Sequence, residues 1–359
     1  NRASSYLGGE VSLSVVKGRH NAKVGFYGFA QNDDTLFGLF GTNDLGNSVN
    51  FSPTRQKVDG NLQAVFVEEQ YKIAQWLTVN GGLRFTHFSG LVTENVVDPR
   101  VGLAIQIPRL KWVIRASYSR FYQAPPLDTV SNTLLQTAFN PDGLGFLPLR
   151  GERDEQHEIG ITIPIKNWAV EVDNFRTGAH NFFDHDVIGN SSLFFPLTIQ
   201  AARVTGTEVT VRAPKLFKRF DVHLAYSHQS AEGSGAVTGG ITNFTPPAAG
   251  FFFLDHDQRN TLATVVNATL PWKSWISGSV VYGSGFLNGD GTQVPTHLPG
   301  YTTFDMALGR SFGETWSVKL TGTNLTNQHY FVDLSNTFGG SHFAAPRMVS
   351  VQVKYRFHY

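Results

Sequence analysis

The chain has 359 residues, a net charge of +1 and no cysteine. Near-neutral charge without a basic block gives no basis for binding nucleic acid, and the lack of cysteine excludes disulfides and thiolate metal sites. Only 16% of residues are charged, while aromatics reach 13% with 29 Phe, beside 36 Gly. No apolar run attains the roughly 18 residues of a membrane helix, but a barrel strand needs only about 9–11 residues of alternating polarity.

Strict alternation recurs along the whole chain. It predicts about fifteen strands, near 8–17, 22–31, 59–73, 77–90, 99–107, 112–122, 154–164, 167–178, 200–213, 219–230, 258–270, 275–283, 300–311, 314–324 and 346–359. In the stretch beginning at Leu77, Leu77, Val79, Leu83 and Phe85 share one parity, and Thr78, Asn80, Arg84 and Thr86 take the other. Phe220, Val222, Leu224 and Tyr226 oppose Asp221, His223 and Ser227. Trp316, Val318 and Leu320 oppose Ser317, Lys319 and Thr321. At the end, Val349, Val351, Val353, Tyr355, Phe357 and Tyr359 oppose Ser350, Gln352, Lys354, Arg356 and His358. Successive strand side chains point to opposite faces, so each segment has one apolar and one polar face. No segment shows a sustained helical period.

The connections alternate in length. Those at 18–21, 74–76, 108–111, 166–167, 214–219, 271–274 and 313–314 are short. Between them lie polar stretches rich in Gly, Pro and Asn at 32–58, 123–153, 179–199, 231–257, 284–299 and 325–345, expected as long loops, with one of middling length at 91–98. Short turns at one end and long loops at the other describe an antiparallel up-and-down transmembrane β-barrel, with the turns in the periplasm. The apolar parity then meets lipid and the polar parity a lumen. Trp112, Trp272, Trp275, Trp316, Tyr355 and Tyr359 fit an aromatic girdle at the membrane interface.

Direction adds an expectation. If the last strand descends to the periplasm, counting back puts residues 1–7 outside the cell. A closed bacterial barrel has an even strand number with both ends periplasmic. Residues 1–359 are therefore expected to be the C-terminal part of a larger barrel, with strands missing before Asn1.

Several segments resemble the TonB-dependent outer-membrane receptors. Pro299, Gly300 and Tyr301 match that family's start of the third-last strand. Asn324, Leu325, Asn327 and Tyr330 match its N-L-x-N/D-x-x-Y segment, and Pro346 and Arg347 its opening of the last strand. Residues 69–88 are similar to its D-x-Y hairpin, and 118–128 to its Y-S-x-G-F-R-A-P motif, with Tyr122 and Gln123 departing from it. Residues 150–164 resemble its E-x-x-x-x-Y-E-x-G element with His157 in place of the aromatic, and 201–213 its R-x-x-G-x-E strand. The resemblance implies a 22-stranded barrel, about 15 strands of it present here, enclosing a plug domain that this chain lacks. It also implies TonB-coupled import of a scarce, bulky nutrient such as a ferric siderophore, cobalamin or glycan. The aromatic end, Tyr355, Phe357 and Tyr359, matches the signal read by the barrel-assembly machinery.

Candidate site residues fall in two groups. In the expected outer loops lie His180, Asp184, His185 and Asp186, then Phe251, Phe252, Phe253 and His256. The His and carboxylate groups read either as a mouth for a polar ligand or metal chelate, or as solvated loop residues. The Phe triplet reads as an aromatic ligand platform or as packing between loops. The inward charges Arg84, Glu208, Asp305, Lys319, Lys354 and Arg356 would hydrogen-bond the plug of a receptor, set ion selectivity in a pore, or pair with one another. No nucleophile elbow, phosphate loop or HExxH motif is present, so neither an enzyme nor a cofactor is expected. The implied partners are outer-membrane lipid, the plug, the TonB complex, the assembly machinery and a small-molecule ligand. A passive porin-like channel in the outer membrane is the alternative.

Overall fold

The computed structural model describes residues 1–42, 46, 48–127, 146–187, 194–241, 250–255, 257–288, 296–334 and 341–357. Fifteen long strands follow one another in antiparallel order: β1 (Arg2–Lys17), β2 (His20–Thr42), β3 (Ser48–Ala74), β4 (Leu77–Ser89), β5 (Thr93–Ile107), β6 (Trp112–Gln123), β8 (Glu152–Ile165), β9 (Trp168–Val187), β10 (Phe194–Leu216), β11 (Phe220–Ile241), β13 (Asn260–Leu270), β14 (Ser274–Gly283), β15 (Tyr301–Phe312), β16 (Trp316–Thr323) and β19 (Met348–Tyr355). Two short pieces, β7 (Phe146–Leu147) and β12 (Phe251–Phe253), add to β11, while β17 (Phe331–Asp333) and β18 (His342–Phe343) form a separate ribbon. Among the described pairings β1 bonds only β2, and β19 only β16, so the sheet has two long free edges.

Register aligns the apolar parity from strand to strand. Val11 faces Phe26, then Val65, Phe85 and Val97 in turn. Farther on, Ile105, Ile114, Ile161, Val172, Val209, Tyr226 and Leu262 form a second row. Leu308, Leu320 and Val351 carry it to the last strand. The first row and Leu308, Leu320 and Val351 are exposed, Val11 at 76% and Val351 at 66%, while Ile105 to Leu262 are half-buried. A continuous apolar band open to the surroundings is unfavourable in water, and it is what a lipid-facing barrel wall needs.

The opposite parity is polar. Lys23, Glu68, Gly82, Arg100, Ser119, Gln156 and Thr177 form one such row. Charges on this face pair across strands: Lys23 with Glu10 at 3.3 Å, Arg100 with Glu68 at 3.3 Å over the bare Gly82, Arg115 with Asp173 at 2.7 Å, and Arg212 with Glu171 at 3.5 Å.

The seven short turns are two to four residues long; they fall where the sequence predicts, with the six residues expected at 214–219 tightened to three. The other end differs from expectation. Segments expected as loops are strand: β2 and β3 remain paired to Thr42 and Ser48, and β9 and β10 to Val187 and Phe194. β11 likewise runs on to Ile241. Only about ten residues are needed to cross hydrocarbon, so these hairpins continue well above the apolar band. There no face must be apolar, the alternation fades, and the backbone ladder is joined by local side-chain contacts such as Arg55 with Asp34 at 2.7 Å. β5 also starts earlier than expected and runs through Pro99. Proline lacks an N–H, and the β5–β6 ladder begins only at Arg100, so Pro99 sits where no partner on that side asks for one.

Trp275 departs from the expected girdle. It faces Gly309, on the parity of Lys319, and a Cβ on Gly309 would lie 2.3 Å from the indole. The ring fills the space the glycine leaves on the polar face. Trp112, Trp168 and Trp316 lie on the apolar parity, level with Ile107, Ile165 and Tyr355.

Candidate functional site

At the long-loop end the polar face closes into a packed mouth. β2, β3 and β4 send Phe29, Leu62, Ala64 and Phe88 to this side, and after β6 the chain turns in so that Leu127 packs on Leu62, Ala64 and Phe88. Gly60 and Gly90 leave room for it: a Cβ on either would come within 2.5 and 2.7 Å of the Leu127 methyls.

Beside this floor lie buried acidic groups. Glu94, at the start of β5, accepts from the Tyr122 hydroxyl at 2.9 Å and from the Gly151 N–H at 3.0 Å, with the Arg153 guanidinium at 3.8 Å. Burial and the Glu94 carboxylate hold the Tyr122 phenol protonated, far above its ordinary range. Glu152, the first residue of β8 and above the apolar band, accepts from the Phe183 N–H at 2.6 Å. Burial, with Asp154 beside it, pushes its carboxyl up to about 7. Glu94, Glu152 and Asp154 were not singled out by sequence reasoning, and Tyr122 stood out only as a departure from the motif at 118–128. The signal lay in the segments 118–128 and 150–164, which meet here.

A second knot gathers the other motif residues. Tyr301 stacks on Tyr330 at 3.8 Å and 7°. Asn324 takes a left-handed conformation, donates to the carbonyls of Gln328 at 3.0 Å and Ala345 at 3.1 Å, and accepts from the Gln328 N–H. The Asn324 N–H donates to Asp305 at 2.7 Å, and Asn327 accepts from the Arg347 N–H at 3.2 Å. Three stretches far apart in sequence are thus tied where β15, β16 and β19 meet.

The inward charges lie on the polar face. Arg84 faces Asp98, contacts Thr86 Oγ1 at 3.3 Å and stands 5.7 Å over the Tyr27 ring. Glu208 faces Asp173 and Ser227, Lys319 faces Gly309 and Gln352, and Lys354 faces Ser317. Arg356 follows β19 and is exposed, as is Phe357.

His180, Asp184, His185 and Asp186 belong to β9 rather than to a loop. His180 is exposed and faces Arg153, while His185 Nδ1 lies 3.6 Å from Asp184. No cluster of three His, Asp or Glu able to hold a metal occurs among the described residues. Phe252 packs against the buried cluster of Ala179, Leu197, Ile199, Ala202 and Leu254. Phe251 lies 3.8 Å beneath the Arg203 guanidinium and Phe253 4.3 Å beneath that of Arg259. His256 and Tyr359 lie outside the described residues.

The model of the TonB dependent receptor-like β-barrel matches residues 2–325. The chain belongs to this family. As a TonB-dependent receptor barrel it is of an outer-membrane class made up of receptors and transporters rather than enzymes. Solved relatives share its fold at low identity. The ferric-catecholate import receptor Fiu from E. coli K12 is 15% identical with a TM-score of 0.66, over 98% of this chain and 54% of that one. The ferric yersiniabactin uptake receptor FyuA from Yersinia pestis is 12% identical with a TM-score of 0.69, over 99% and 55%. The copper transporter OprC is 10% identical with a TM-score of 0.71, over 99% and 57%. The chain spans about half the length of these solved receptors. No curated protein matches it.

Proposed function

We propose that this chain is the C-terminal barrel portion of a TonB-coupled importer of a scarce, bulky nutrient, with a ferric siderophore as the leading ligand class. The match of the receptor-barrel model to residues 2–325 carries this reading. Solved relatives named for ferric-catecholate, ferripyoverdine and ferric yersiniabactin support the ligand class.

In this reading the free edges β1 and β19 take further strands to reach the expected 22. Open edges would leave unpaired backbone amides in lipid at several kcal/mol each. Arg84, Glu208, Asp305, Lys319, Lys354 and Arg356 face a plug domain in the lumen, and the plug reaches the TonB complex. Ligand is captured at the long-loop end, where His180, Asp184, His185, Phe251 and Phe253 lie near the mouth. Tyr355 and Phe357 on the last strand serve the barrel-assembly machinery.

The test is uptake of iron supplied as ferric catecholate, pyoverdine or yersiniabactin by cells making the protein, with and without TonB. TonB-dependent accumulation of one of them is expected. Accumulation that ignores TonB, together with steady ion conductance in a planar bilayer, would instead identify a passive pore.

A further inference from the structure

Among the described residues, the two ends of the barrel use different residues where the backbone takes a positive φ. At the long-loop end such positions are glycine or asparagine: Gly46, Gly235, Gly240, Gly250 and Gly285, with Asn181, Asn324 and Asn327. These residues visit the left-handed region at least cost. In the short turns the same conformation is forced on Lys111, Lys166, Lys215, Phe217, Lys218, Trp272 and Lys273, and only Gly18 and Gly313 follow the usual rule. A left-handed conformation costs a residue with a Cβ about 1–2 kcal/mol. Glycine would avoid that cost at every turn, so turn geometry alone does not explain lysine and tryptophan there.

Charge follows the same division. Five of the seven short turns carry Lys or Arg, the other two have Lys72 and Arg310 three residues before them, and the acidic residues at this end are Asp221 and Glu314. The chain as a whole is nearly balanced at +1, so the rest of it is net acidic. Lys111, Lys166, Lys218 and Lys273 are exposed and have no ion-pair partner among the described residues. Interleaved with them are large aromatics: Trp272 is 78% exposed and Phe217 81%. All 6 tryptophans of the chain lie in or beside short turns, at 76, 112, 168, 272, 275 and 316.

From this we infer that the short-turn rim is a docking collar for phosphate-bearing headgroups of anionic phospholipids in the leaflet at that end. The inference rests on the membrane-spanning reading above. Lipid is favoured over an acidic protein because the cations of five short turns are accompanied by aromatics at 76, 112, 168, 217, 272 and 316 along this rim. Indole and phenyl rings settle at headgroup level, and lysines extend from an apolar base to the charged layer. The collar recognises negative charge on phosphate and is screened by salt.

The experiment compares urea unfolding of the protein in vesicles of phosphatidylcholine and in vesicles that also contain phosphatidylglycerol. The second protein is the fourfold variant Lys111→Asn, Lys166→Asn, Lys218→Asn and Lys273→Asn, which keeps residues suited to positive φ. Phosphatidylglycerol is expected to raise the unfolding midpoint of the parent, and the variant to lose most of that rise while matching or exceeding the parent in phosphatidylcholine. Three results would overturn the collar: equal midpoints in both bilayers, which leaves the charges to an acidic protein; a rise undiminished in the variant; or an equal rise on adding inorganic phosphate to neutral vesicles, which marks a free-anion site. Both proteins are tested with the strands that close the two free edges, and a closed barrel that enters neither bilayer would overturn the membrane reading itself.

Discussion

Arg115 on β6 and Asp173 on β9 meet at 2.7 Å across β8, through the space that Gly160 leaves empty. A Cβ on Gly160 would sit 1.7 Å from Asp173 Oδ1. The pair belongs to a face that elsewhere also matches cation to carboxylate. Gly160→Val is expected to push the pair apart and to destabilise the barrel by about 1–3 kcal/mol through overpacking. Gly81→Ala, where nothing lies within 4 Å, is expected to be neutral. Unfolding midpoints of the two variants in one lipid check the contrast.

Leu127 closes the mouth through contact with Leu62, Ala64 and Phe88. Leu127→Ala is expected to cost about 2–5 kcal/mol, the usual range for emptying a buried leucine site. Gly60→Val should act on the same contact from the other side by evicting the Leu127 methyl groups. Amide hydrogen exchange should quicken at Ala124 and Leu127 in the glycine variant and at the same positions in Leu127→Ala, and stay unchanged in β13 and β14.

Glu152 gives the mouth a pH dependence. Its folded carboxyl titrates near 7 because of burial and the neighbouring Asp154, against 4.5 for a free glutamate. Between these values the folded state holds the proton more tightly than the unfolded state. Stability from this group is full below about 4.5, falls as the pH rises through about 7, and is flat above. Glu152→Gln should flatten that decline, read as the unfolding midpoint against pH.

The apolar and polar parities should also respond differently to charge. Leu320 lies between Leu308 and Val351, and Thr321 between Ala307 and Ser350. Leu320→Arg is expected to cost about 2–4 kcal/mol and to impair membrane insertion. Thr321→Arg should insert normally, as judged by heat-modifiable gel mobility and protease protection.

Within the apolar band the fold was legible because its signal is local. A period of two in Trp316–Thr323 or Met348–Tyr355 states which side chain meets which solvent, without knowledge of the neighbours. Two kinds of feature were not legible. The upper hairpins, such as β2 around Asn32, Asp33 and Asp34, have no lipid on either side and so no alternation to read. Long-range contacts were hidden as well: Trp275 folds over Gly309, and Glu94 meets Tyr122 and Gly151, because register brings together positions far apart in sequence. The segments 118–128 and 150–164 drew notice as resemblances, and only the structure shows that they share one carboxylate.

The wall between lipid and water can be measured directly, since the chain has no cysteine and any introduced one is unique. Spin labels placed singly from Ser317 to Thr321 in bilayers should alternate with period two. Positions 318 and 320 should collide with lipid-dissolved oxygen, and 317, 319 and 321 with an aqueous nickel complex. Two accessibilities that rise and fall together along this strand, or oxygen access that shows no period, would contradict the account.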